Sequence, residues 1–147
     1  MKIGIVGAER AKFTPLGERQ AKLTIREILT APGVTEVVSG HSHLGGIDIW
    51  AEDIGKELGL RVTVFPPAVL SWEGGYKQRN LAIATHSDVV HCIAVDKLPR
   101  DFTGMRFEKC YHCHREDHVK SGGCWTMSKA RVGVLHIVQN YQRSEEP

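Results

Sequence analysis

The chain has 147 residues, 41% of them hydrophobic, and a formal net charge of +2. That length fits one domain with a real core, while the charge is too small to argue for a nucleic-acid or membrane surface and no apolar run approaches a membrane span. The opening Met1-Lys2-Ile3-Gly4-Ile5-Val6-Gly7 is brief and broken by glycine, so it reads as a first strand and not a signal peptide, and the chain as soluble and cytoplasmic.

Residues 2–6 form the first strand candidate. A helix follows from Thr14 as cap and Pro15 in the first turn, with Ala21, Ile25, Ile28 and Leu29 on its apolar face. After a strand at 36–39, a second helix places Ile47, Trp50, Ala51, Ile54 and Leu58 on one stripe, which fits the helical period. Strands at 61–65, 89–95 and 134–138 alternate with shorter helices at about 78–85 and 126–131. This pattern predicts an α/β fold: a Rossmann-like, doubly wound, mostly parallel sheet of about five strands with helices on both faces. Residues 1–147 read as a single domain with a Cys/His-rich insertion at about 96–121, a stretch too long for an unstructured connection unless it is functional or stapled. The polar tail 141–147 is expected to fray.

Two glycine-bearing turns carry the chemistry. The first is Ser39-Gly40-His41-Ser42-His43-Leu44-Gly45-Gly46 and the second Ser121-Gly122-Gly123-Cys124-Trp125-Thr126. Glycines at a helix start expose backbone N–H groups and admit an anion closely. Gly40, Gly45 and Gly46, with Gly122, Gly123 and Thr126, are therefore candidates for holding a phosphate, and Asp48 or Glu52 for meeting a sugar hydroxyl. The alternative is a tight strand-to-helix turn in which Asp48 caps the helix. Neither the Gly-x-Gly-x-x-Gly fingerprint nor a P-loop is present. Arg10, after Gly7 at the end of the first strand, is a candidate phosphate partner or an ordinary surface arginine. Arg79-Asn80 either closes the pocket or forms a solvated helix start. His41 and His43 either touch ligand or face solvent, and Trp125 either packs or stacks on a base.

Cys110, Cys113 and Cys124 crowd a segment that also holds His112, His114 and His118, whereas Cys92 stands alone in an apolar run and reads as a buried thiol. One Cys-x-x-Cys plus further soft donors points to a tetrahedral zinc of structural type held by Cys110, Cys113, His118 and Cys124. His112 or His114 can replace His118 in that set, and Cys124 at a helix start has a second reading as a nucleophile.

Taken in order, these motifs resemble the SLOG superfamily. That Rossmann-like group joins the DNA-processing protein of natural transformation, the lonely-guy hydrolases and the YspA- and YpsA-like proteins. The resemblance rests on the first strand with Gly7 and Arg10, and on Ser39-Gly40…Gly45-Gly46-x-Asp48-x-x-Ala51-Glu52. It continues through Arg79-Asn80 with the Ala84-x-x-x-Asp88 segment, and Gly122-Gly123-x-x-Thr126. It implies a nucleotide or nucleotide-derived, phosphate-containing ligand bound between the two turns, and frequently a homodimer. The hydrolase branch carries Gly-Gly-x-Gly-Thr-x-x-Glu, whereas here Trp125 replaces the third glycine and Lys129 the glutamate, which disfavours hydrolysis by that mechanism. The expected function is thus a ligand-binding or sensor module with no catalytic residue assigned. Cleavage of an N-glycosidic or phosphate bond is the alternative, and single-stranded nucleic-acid binding a second one.

Overall fold

The computed structural model describes residues 1–142; of the tail expected to fray, residues 143–147 lie outside the described part. Tyr141 is tied down, its hydroxyl accepting the Arg100 N–H at 2.8 Å. Five strands form one parallel sheet in the order β3-β2-β1-β4-β5. They are β1 (Lys2–Gly7), β2 (Glu36–Ser39), β3 (Arg61–Val64), β4 (Val89–Val95) and β5 (Gly133–Val138). Ile3 sits opposite Val37 on one side and Val89 on the other, which fixes the register of the central three strands.

The apolar runs are buried on both faces, as a parallel sheet requires. Ile3, Ile5, Ile93 and Val95 face a layer made by α1 (Pro15–Leu29) and α2 (Ile47–Glu57). Val6, Val38, Val90 and Cys92 face α3 (Lys77–His86) and α4 (Gly122–Lys129). The doubly wound α/β expectation therefore holds. In α1 the Thr14 hydroxyl accepts the Gly17 N–H at 3.1 Å and Pro15 opens the helix, while Ala21, Ile25 and Leu29 are buried. In α2 the expected stripe is the buried one, with Leu58 just past the helix end. Among the described residues no helix is long and apolar enough to cross a membrane.

Most element ends fall within a residue of the sequence reading, and two features depart further from it. Helix α4 begins at Gly122, four residues earlier than expected, because the Ser121 side chain accepts the Gly123 N–H and caps the helix there. The two glycines thus form its first turn and do not precede it. A π-helical turn, Trp72–Tyr76, runs into α3, a feature that no sequence period announces.

The chain reverses direction across the sheet between β1 and β4, and ligands of such sheets bind beyond the carboxyl ends of the strands at that point. The edge is braced by Asn140, which no motif flagged. Its side chain accepts the Thr14 N–H at 3.0 Å and donates to the carbonyls of Lys12 (2.8 Å) and Lys97 (2.6 Å). At the end of β1 a Cβ on Gly7 would lie 2.1 Å from the Ile93 carbonyl oxygen and 2.9 Å from Ile47. Backbone cannot yield as a side chain can, so Gly7→Ala should lower unfolding free energy by about 1–3 kcal/mol or more, read from urea unfolding midpoints; an unchanged midpoint would contradict this packing.

Candidate functional site

A cavity of about 530 Å³ opens over the carboxyl end of β1, within the roughly 300–1,000 Å³ of small-molecule sites. Four segments wall it: the end of β1 with the following turn, the loop into α2, the π-turn with α3, and the first turn of α4. The insertion contributes Tyr111, His112 and Lys120 to the rim.

The candidate residues divide. Gly7, Asp48, Arg79, Asn80, Gly122, Gly123 and Thr126 border the cavity. Arg10, Ser39, Gly40, Gly45, Gly46 and Glu52 do not, and each has a local physical reason. A Cβ on Gly40 would meet the Arg79 guanidinium at 2.3 Å, and Arg79 Nη1 donates to the Gly40 carbonyl at 2.5 Å. Gly45 and Gly46 have positive φ, and a Cβ on Gly46 would meet the Ala8 oxygen and Arg10 nitrogen at 2.5 Å. The first glycine turn is thus a close crossing of two loops. Arg10 is exposed on a 3-10 turn (Arg10–Lys12), and Lys12, two residues on, reaches the cavity instead.

Glu52 is buried under that turn. It accepts the Ser39 hydroxyl at 2.8 Å and pairs with His41 Nδ1 at 2.7 Å, while Ser39 also accepts the His41 N–H at 3.1 Å. His41 therefore points to Glu52, whereas His43 borders the cavity. The turn's N–H groups are largely engaged: Ile47 donates to the Ala8 carbonyl at 3.2 Å and Ser42 to the Asp48 carboxylate at 3.2 Å.

Glu9 and Asp48 border the cavity together with Lys12, Arg79 and Lys120, and the opposite charges are neighbours, Arg79 acting on Asp48 and Glu9 on Lys12. Burial pushes the Asp48 carboxyl up to about 6, against the pull of the Arg79 charge and the Ser42 N–H. Burial also lowers the Lys12 ammonium, which donates to the Lys120 carbonyl at 3.0 Å. Lys12 and Lys120 escaped the sequence reading because nothing in their local pattern separates them from surface lysines.

The first turn of α4 differs from that of α2. Gly123 is pressed onto the sheet, where a Cβ would lie 2.9 Å from the Gly7 nitrogen and 3.0 Å from Cys92 Sγ. At Gly122 a Cβ would meet nothing within 4 Å, and its φ is not positive.

Beside this turn, Cys110, Cys113, His118 and Cys124 present four ligand atoms within 4.8 Å of one another, a set that could hold a metal ion. His118 Nε2 lies 3.2 Å from Cys113 Sγ and 3.4 Å from Cys124 Sγ. Its Nδ1 meets Asp117 Oδ1 at 2.8 Å, the carboxylate support that turns Nε2 toward a metal. His112 instead borders the cavity, and His114 takes positive φ at the bend where Cys110 bridges back to Arg115. Burial opposes charge on Cys110, but the amides of Ser121, Cys113 and His112 outweigh it and bring that thiol down to about 6. Burial lifts Cys113 to about 12, and contact with Cys92 together with burial lifts Cys124. Cys92 is a buried free thiol, as expected, and its Sγ lies 3.8 Å from that of Cys124.

The other motif residues fall outside the site. Lys129 is exposed with its ammonium 5.3 Å from the Trp125 ring centre, and Asp88 accepts the Lys2 N–H at 2.8 Å at the opposite end of the sheet. The chain matches no family model, no curated protein and no solved structure.

The Asp48 shift has a consequence for stability. Its folded value of about 6 exceeds the ordinary 3.8, so its contribution is fully present below about pH 4, falls as pH rises toward 6, and is flat beyond. Asp48→Asn should therefore gain about 1–3 kcal/mol over the parent at pH 7–8 and nothing below pH 4, measured as the difference between their unfolding free energies across pH. A variant less stable at pH 8 would contradict this.

Proposed function

We propose that the cavity binds a nucleotide or nucleotide-derived ligand, with its phosphate on the first turn of α4 and its sugar toward Asp48. The observation that carries this reading is Gly122. Neither backbone conformation nor packing requires glycine there, and an alanine would favour the helix by about 0.5–1 kcal/mol. A glycine without internal cause, in a cavity-facing helical first turn, suits close approach of an anion to its own N–H, the next two amides being taken by Ser121. Lys12 and Lys120 supply countercharge at the same end, and the buried carboxyl of Asp48 accepts hydroxyl donors at the other. The motif order resembling the SLOG superfamily supports the same assignment. The metal is read as a structural zinc, since three sulfurs and one imidazole form a closed tetrahedral donor set. Its role is to hold the insertion and the first turn of α4 together.

A second reading has one specific observation in its favour. A cavity carboxyl with a pKa near 6 suits general acid–base chemistry, so hydrolysis at the same site is the competing class. Release of free base from AMP, abolished by Asp48→Asn, would establish it.

Two experiments test the main reading. Native mass spectrometry of the purified protein should show one bound zinc, and its removal by a chelator should lower Tm by at least several degrees, because the metal's binding free energy is folding free energy. An unchanged Tm would remove the structural role. The same spectrum reads the oligomeric state, for which the resemblance implies a dimer. Gly122→Ala should keep or raise Tm while weakening AMP binding at least tenfold by calorimetry. Equal affinity in parent and variant would remove the phosphate from α4.

A further inference from the structure

Trp72 and Trp125 both border the cavity, edge to face, with ring centroids 4.7 Å apart and planes at 85°. Trp72 remains 40% exposed, although an indole gains from burial. Its position is built and not incidental. It opens the π-helical turn Trp72–Tyr76, where the Ser71 side chain accepts the Gly74 N–H at 3.2 Å. Gly75 is packed so tightly that a Cβ would lie 1.9 Å from the Val69 oxygen. Such turns are rare and concentrate at functional sites. A perpendicular indole pair forms a corner; Lys129 lies over the Trp125 ring, so the half-exposed Trp72 is the ring that offers a face to a third planar group. Nearby, Arg79 Nε donates to Asn80 Oδ1 at 2.7 Å, so the end of Asn80 that remains for a ligand is its NH₂, a donor to ring nitrogens or carbonyls.

We infer that the ligand of this cavity carries a nucleobase and that Trp72 and Trp125 form the wall on which it stacks. This deepens the binding reading above and rests on it for the phosphate end alone. The aromatic corner sets a preference for ligands with a π-face over bare sugar phosphates, with little discrimination among bases by stacking itself.

Equilibrium dialysis against AMP, adenosine, ribose 5-phosphate and inorganic phosphate tests it, on the full chain and on Trp72→Ala and Trp72→Phe. AMP should bind about tenfold or more tightly than ribose 5-phosphate. Trp72→Ala should remove about that factor and Trp72→Phe should retain most of it, with ribose 5-phosphate affinity equal in all three. In the parent, AMP should quench tryptophan emission and ribose 5-phosphate should not, a measurement that does not depend on a variant folding. Equal affinities for AMP and ribose 5-phosphate, or equal loss of both in Trp72→Ala, would overturn the wall. Trp72-dependent binding of adenosine with no binding of ribose 5-phosphate or inorganic phosphate would keep the wall and remove the phosphate reading. Failure of all four ligands to bind would overturn both.

Discussion

The contact between Gly123 and Gly7 governs the layout of this protein. A Cβ at 123 would stand 2.9 Å from the Gly7 nitrogen and 3.0 Å from Cys92 Sγ, while one at Gly7 would strike the Ile93 carbonyl. With glycine at both positions, the first turn of α4 rests directly on the end of β1. That approach brings Gly122 to the cavity and Cys124 beside Cys92. It also sets Cys124 within 4.8 Å of the ligand atoms of Cys110, Cys113 and His118. Larger side chains would lift the helix, and the cavity wall and the metal set would be displaced together.

The two helix starts flanking the cavity look alike in sequence and differ physically. At α2 the Ile47 N–H meets the Ala8 carbonyl and the Asp48 carboxylate accepts the Ser42 N–H, so a carboxylate already occupies the place where an anion would be favoured. At α4 the cap is a neutral serine, no acidic residue lies in the first turn, and two lysines flank the approach. One helix start therefore carries an acidic group in its first turn and the other does not. A ligand with hydroxyls at one end and a phosphate at the other matches that polarity, and the opposite orientation would set phosphate against a buried carboxyl.

Much of the fold was legible because its signals are local. The valine and isoleucine runs, the Thr14-Pro15 start and the 47–58 stripe follow from side-chain period and capping, and each became the element expected. The four sulfur and imidazole donors were legible because Cys-x-x-Cys needs only one bend of backbone to present two ligands. His118 prevailed over its neighbours through Asp117, adjacent in sequence. What escaped depends on long-range packing. Gly40, Gly45 and Gly46 resemble a phosphate cradle until Arg79 and the β1 loop are seen pressed against them. Lys12 replaces Arg10 because the intervening 3-10 turn swings the chain by two residues. Asn140, more than 120 residues from its partner Thr14, offers no sequence signal of its bracing role.

Binding and catalysis part at Lys129. The hydrolase pattern needs a carboxylate in the last turn of α4 facing the ligand, and here that position holds an exposed cation against Trp125. The Lys129 ammonium lies over the Trp125 ring, and that ring borders the cavity. Two acidic groups border the cavity, Glu9 and Asp48, and both lie outside α4. Of the two, Asp48 is the buried one, pushed up to about 6, so the hydrolysis reading rests on that carboxyl and not on α4.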